Sequence, residues 1–349
     1  GDGGSVAGSD TAFELFSVCG QAPAPNAAAR VEVRGRLPED ATAAALSTAG
    51  FKGRGTVVNQ DCVAARRTGD GRWLGVVVDG HGRDGHECAA RLCATLPGFL
   101  EAALLELGSG GAESSGAMVT AFGAAFAEAE RDLEQAARED GFNVECSGGA
   151  AAAVALCPDV DTAYLVTCGD SQAIVLDTNA GGAFQVSRPH KAHDPEERQR
   201  LSAAGGLVEV RRDGQEVFSR VYPPSRDFGL AMSRSFGDLC VKRHGVTAEP
   251  SVVEVPLAKG GDICCLLGSD GLFEFIPPAE VVELLQERFL AHGGAVCAEA
   301  LVAEAQRRWD EAERGEYSDD VSCLILGVAG ASGVAPGSAG QAGRAGATV

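Results

Sequence analysis

The stretch Leu74-Gly75-Val76-Val77-Val78-Asp79-Gly80-His81-Gly82 limits the fold more than any other part of the chain. Its β-branched run carries no charge, so it reads as a buried strand, and a core sheet must be built around it. The run ends abruptly in an acid, a glycine-rich turn and a histidine. A core strand therefore delivers a carboxylate to its own tip, and the glycines let backbone come close to whatever that carboxylate holds.

The same device recurs. Asn59-Gln60-Asp61 precedes Cys62-Val63-Ala64-Ala65, Ile263 to Leu267 runs into Gly268-Ser269-Asp270-Gly271, and Ser318-Asp319-Asp320 precedes Val321-Ser322-Cys323-Leu324-Ile325. Any one of these acids suits a cap or a turn. Four converging in one cleft would repel one another strongly at low dielectric, so together they imply cations. Carboxylates without a thiolate or imidazole cluster are hard oxygen ligands, which favour Mg²⁺ or Mn²⁺ over zinc or copper.

Further strands are expected at Thr56–Val58, Ala150–Leu156, Thr162–Thr167, Ala173–Leu176, Leu207–Val210, Ser251–Val255 and Val321–Val328. Helical spacing of apolar residues marks Gly85–Leu96, Leu100–Leu107, Ala117–Arg138, Pro195–Ala204, Pro278–Leu290 and Ala295–Arg314, with Phe122, Phe126, Ala129 and Leu133 as one core stripe. Asp194 stands as the N-cap before Pro195. Phe13–Val18 and Val31–Val33 are candidate strands, and Pro38-Glu39-Asp40 before an Ala-rich run predicts the opening of a short helix. Strands that follow one another directly pair antiparallel, and helices bracketing them point to a layered α+β domain rather than a parallel Rossmann sheet. Gly327 to Val349 is nearly all Gly, Ala, Ser and Val without periodicity, which predicts a disordered tail.

The formal net charge of -20 argues against nucleic acid and anionic membranes as partners, so an anionic substrate needs a local attraction such as bound metal. Apolar runs such as Ile263 to Leu267 are strand-length, and no membrane span is expected. The 12 cysteines lie in apolar runs without paired CxxC spacing, as small buried hydrophobes do in a reducing compartment. The expected location is therefore cytoplasmic or nuclear. An upstream targeting segment stays open, because the first residue is Gly rather than Met.

Asn59-Gln60-Asp61, Val78-Asp79-Gly80-His81-Gly82, Cys168-Gly169-Asp170-Ser171-Gln172-Ala173, His190-Lys191, Arg200 to Val208, Leu230 to Asp238, Gly268-Ser269-Asp270-Gly271-Leu272-Phe273 and Asp319-Asp320-Val321-Ser322 occur in one order. That ordered set resembles the protein phosphatase 2C family of metal-dependent serine/threonine phosphatases, over about Ala45 to Val328. The resemblance implies a four-layer αββα sandwich, two antiparallel sheets between helices, with a two-metal site at one edge. It divides the chain into an N-terminal extension (1–42), a catalytic domain (43–328, with a flap at about 190–240) and a tail (329–349).

The resemblance also assigns roles. Asp79 would bridge two ions with the Gly80 carbonyl beside it, Asp270 and Asp319 would ligate, Asp61 would hold metal-bound water, and His81 would protonate the leaving oxygen. Two such ions, roughly 3.5 to 4 Å apart, activate a water for in-line attack on phosphoserine or phosphothreonine without a covalent intermediate. In keeping with that, no C-x5-R loop is found. Gln60 stands where many members have Glu, and Asp320 where Asn is usual. Of the two neighbouring acids Asp319 is favoured, because Val321-Ser322 then aligns with the family strand. The Arg that clamps phosphate is missing at Thr56-Val57-Val58, leaving Arg54, Lys52 or Arg83 as substitutes. Pro189 replaces an acid of a third, weaker ion site. Phosphoprotein substrates and a monomer are expected, and the rival reading is a non-catalytic binding module of the same fold.

Overall fold

The computed structural model describes residues 13–17, 20–22, 31–34, 41–52, 57–107, 115–157, 161–177, 183–214, 216–258, 262–292 and 294–328. The expected tail at 329–349 and Arg54 lie outside them. The larger sheet runs β15 (Ser251–Pro256), β9 (Thr162–Cys168), β8 (Gly148–Cys157), β7 (Trp73–His81), β6 (Asp61–Arg67), β1 (Phe13–Ser17) and β3 (Val31–Arg34), with β14 (Phe236–Gly237) also on β8. The second sheet runs β11 (Ala183–Val186), β10 (Gln172–Asp177), β16 (Ile263–Gly268), β17 (Val321–Val328) and β4 (Ala41–Thr48). Two hairpin-sized sheets add β12 (Leu207–Asp213) with β13 (Glu216–Tyr222), and β2 (Gly20–Ala22) with β5 (Val57–Asn59). Every strand pair is antiparallel.

Side-chain alternation builds the layers. Leu74, Val76 and Val78 of β7 face a core shared with helices α1 (Gly85–Leu107) and α2 (Ser115–Asp140). Val77, one residue out of phase, joins Val63, Val154 and Leu165 against Cys265, Leu267, Leu324 and Leu326 of the second sheet. Burial on both faces is why the β7 run shows no polar alternation. The outer face of the second sheet, with Ile174, Leu266 and Ile325, is covered by α6 (Pro278–His292) and α7 (Gly294–Ala312). The result is the αββα sandwich, each large buried side chain contributing about 1.5 to 3 kcal/mol. A fourth cluster, Leu201, Val221, Leu230, Met232 and Val241, seats the segment containing α3 (Pro195–Ala203), the β12–β13 hairpin and α4 (Leu239–Lys242).

Two expectations need correction. The Ala-rich run after Pro38 is not a helix but β4, because pairing with β17 from Val321↔Thr48 to Val328↔Ala41 overrides the strong local helix propensity of alanine. Gly85–Leu96 and Leu100–Leu107 are one helix. Pro97 removes one backbone donor, but Leu92, Leu96, Leu100 and Leu104 remain one buried stripe that holds both halves in line. That helix is also long and apolar enough over Gly85–Glu106 to cross a membrane, but its leucine stripe is packed in the core of the sandwich.

Candidate functional site

Antiparallel pairing brings the chemistry to one edge. β6 starts where β7 ends, so Asp61 lies directly opposite Asp79, and β7 in turn pairs Asp79 with Ala150, Gly80 with Gly149 and His81 with Gly148. The turn after β9 presents Asp170. The end of β16 hands Asp270 to the first turn of α5 (Asp270–Phe273), and the start of β17 supplies Asp319 and Asp320. Gly80 is required by close approach, since a Cβ there would sit 2.2 Å from the Gly85 carbonyl oxygen and 2.6 Å from that of Gln60. Gly169, at φ +100°, puts Asp170 into the cleft by a left-handed turn that a side chain would strain.

Carboxylate oxygens of Asp79, Asp170 and Asp270 lie within 4.8 Å of one another. Burial, then repulsion from Asp270 and Asp61, lifts the Asp79 carboxyl well above the usual carboxylate range. Burial, then Asp320, does the same to Asp61, against a 2.7 Å hydrogen bond donated by the Ser269 hydroxyl. Asp270 is pushed up to about 7 by burial and by Asp170 and Asp319. Oδ1 of Asp170 is buried without a hydrogen-bond partner, while its Oδ2 accepts from Lys191 Nζ at 2.6 Å. Buried, mutually repelling anions that Lys191 neutralises only in part, all presenting oxygen, fit a hard divalent cation.

Asp319 and Asp320 part company. Asp320 is buried and accepts from the backbone N–H groups of Gly50 (2.8 Å) and Gln60 (3.0 Å) and from Lys52 Nζ (2.9 Å). Asp319 raises the carboxyls of Asp79 and Asp270 by its charge, and it pairs with Lys52 at 2.9 Å and Tyr317 OH at 3.2 Å. Asp320 is thus held by backbone donors and Lys52 while its charge acts on Asp61, whereas the charge of Asp319 acts mainly on Asp79 and Asp270.

His81 stands at the end of β7 with Nε2 2.7 Å from Oδ2 of Asp238. Asp238 is fully buried, takes a second hydrogen bond from the Ser235 hydroxyl at 2.7 Å, and adopts a left-handed backbone at φ 53°. Burial disfavours the charged imidazole, but the charge and hydrogen bond of Asp238 outweigh it and hold His81 above the ordinary imidazole value. A protonated imidazole beside a cluster of acids is a proton donor next to a cation site.

A family profile described as protein phosphatase 2C matches residues 69–312. The chain belongs to the protein phosphatase 2C family. A probable protein phosphatase 2C 48 of Oryza sativa subsp. japonica is 30% identical over 332 residues, covering 88% of this chain and 90% of the relative. Probable protein phosphatase 2C 64 of the same plant is 32% identical, covering 82% of this chain and 65% of the relative. The crystal structure of a serine-threonine phosphatase 2C from Toxoplasma gondii superposes with a TM-score of 0.67 at 17% identity, covering 90% of this chain and 99% of that one. This last likeness is one of fold.

Among the residues expected for a phosphatase 2C site, Asp61, Asp79, Gly80, His81, Asp270 and Asp319 all lie at this edge. Arg83 is exposed and lines a pocket of about 530 Å³ with Asp84, His86, Glu87, Phe142 and Asn143, beside the His81 turn. Lys52 turns to Asp319 and Asp320. Gln60, where many phosphatase 2C members have Glu, donates from Nε2 to the Gly82 carbonyl at 2.7 Å and so shapes the glycine turn. Asp194 occupies the N-cap position of α3, but its carboxylate pairs with Arg188 at 2.9 Å instead of capping. In the sequence, Asp170, Lys191 and Asp238 stand within the ordered motifs without a role of their own, and Lys52 is read only as a substitute phosphate clamp. Asp170 had a signal, the Cys168-Gly169-Asp170 step from strand into glycine turn, which repeats the pattern of Asp79 and Asp270.

Proposed function

We propose that this chain is a Mg²⁺- or Mn²⁺-dependent phosphoprotein serine/threonine phosphatase that hydrolyses its substrate without a covalent intermediate. The observation that carries the reading is the convergence of Asp79, Asp170 and Asp270 within 4.8 Å, next to the His81–Asp238 pair. Asp79, the Gly80 carbonyl, Asp270 and Asp319 would hold two ions, with Asp61 steadying water and Asp170 offering an additional oxygen. When bound, such ions supply Lewis acidity toward water and toward the phosphoryl oxygens.

The chain's own groups do the rest. Ser269 fixes the Asp61 carboxylate from the protein side, and Lys52 anchors Asp319. His81 is kept protonated by Asp238 and gives its proton to the departing serine or threonine oxygen. Arg83, at the rim, attracts the phosphate that the acidic surface would otherwise repel.

The test is hydrolysis of a phosphothreonine peptide by the purified chain with Mn²⁺ or Mg²⁺. Activity should vanish on adding EDTA, return with Mn²⁺, and be absent in folded Asp79→Asn. Full activity in that variant, or in EDTA, refutes the reading.

A further inference from the structure

Eleven cysteines lie among the described residues, and nine of them are buried; Cys146 is exposed and Cys240 half-buried. These two meet. Cys146 Sγ is 3.3 Å from Cys240 Sγ, although the residues are 94 apart in sequence. A short ladder holds them together: Leu239 N–H donates to Val144 O, Cys240 N–H to Glu145 O and Asp238 N–H to Ser147 O, each at 3.0 Å. The thiols therefore face each other across a backbone ladder that keeps their sulfurs close, which favours a disulfide between them. The ladder also carries Asp238, whose carboxylate holds His81.

We propose that Cys146 and Cys240 are a modification site, a thiol pair that a hydroperoxide converts to an intrachain disulfide, latching the ladder behind the His81–Asp238 pair. Cys146 is the accessible sulfur and reacts first. Its thiolate attacks one peroxide oxygen, the O–O bond breaks, and the released hydroxide leaves as water, giving a sulfenic acid. The Cys240 sulfur then attacks that sulfur, the S–O bond breaks, and a second water leaves with the Cys240 proton. Two electrons pass from the two thiols to the peroxide. The Cys240 thiol is pushed up to about 12 by burial and then by its hydrogen bond and proximity to Cys146. The part due to Cys146 disappears once that residue is a neutral sulfenic acid, and contact with the target sulfur speeds the second step.

The experiment uses the full chain, reduced, freed of reductant and held in EDTA, then treated with hydrogen peroxide. Non-reducing digestion and mass spectrometry should find one cross-linked peptide joining Cys146 to Cys240, lost on adding dithiothreitol and absent in Cys146→Ser. In Cys240→Ser, dimedone should label Cys146. Hydrogen exchange at Asp238, Leu239 and Cys240 should slow in the oxidised protein. Cys146 driven to sulfinic acid while Cys240 still alkylates, a bridge through any other cysteine, or a disulfide between chains would overturn the site. Unchanged exchange across 238–240 would overturn the latch. Neither readout depends on phosphatase activity.

Discussion

Replacing Asp270 with Asn should abolish hydrolysis and yet make the metal-free protein more stable. Asp270 sits at about 7 against 3.8 for a free aspartate, because burial and the charges of Asp170 and Asp319 penalise its ionised form. A raised acid contributes fully below its unfolded value and loses that contribution as pH climbs through its folded value. Above pH 7 the ionised group therefore costs up to about 4 kcal/mol, from roughly three pK units at 1.36 kcal/mol each. The carboxylate keeps some contact with solvent, so about half of this survives screening. Asparagine keeps the shape, removes the charge and offers Asp79 an N–H. The variant should gain about 2 kcal/mol at pH 8, roughly 4 °C in melting temperature for a domain of this size. Differential scanning fluorimetry in EDTA reads the gain, which should shrink toward zero near pH 4. Saturating Mn²⁺ should stabilise the wild type and close the gap. A variant less stable than wild type at pH 8, or a gain that does not change with pH, would refute the account of the cluster as mutually repelling anions.

Three further outcomes are expected. His190 is buried, with Nε2 2.7 Å from the Ser251 hydroxyl, and burial lowers it to about 4 from 6.5; its unfolded form binds the proton first, so stability is lost as pH falls from 6.5 to 4. In urea titrations His190→Gln should lack that loss, up to about 3 kcal/mol. Asp238→Asn should lower His81 and move the basic limb of the pH–activity profile down by at least about one unit, while an unmoved limb would remove His81 from the proton-donor role. Phe122→Ala, at a fully buried ring between α2 and the sheet, should cost about 3 to 5 kcal/mol by chemical denaturation without altering the peptide-phosphate KM.

Much of the site was legible because strand ends announce it. Asp79, Asp270 and Asp61 each border an uncharged run, and the antiparallel order that gathers them follows from strands that succeed one another directly. The partners that tune the acids were harder to see. Asp238 reaches His81 from 157 residues away, and Lys191 reaches Asp170 from beyond two strands, β10 and β11; neither has a periodic signature, because only tertiary packing makes them neighbours. Local propensity misled at Ala41–Thr48, where alanines read as helix and the edge of a sheet decided otherwise. Pro97 misled in the opposite sense, since a packed leucine stripe carries α1 through a residue that usually ends helices.

The acids at the working end come from both sheets, Asp61 and Asp79 from one and Asp270 and Asp319 from the other. Apolar contacts glue these sheets along most of their length, but here like charges push them apart. At this end the two sheets are joined by single hydrogen bonds, Ser269 to Asp61 and Gln60 to Asp320, in place of apolar packing. A divalent ion held by Asp79 and Asp270 would join the two sheets, so the same ligands that would serve the chemistry would also act as a cross-link between the layers of the sandwich.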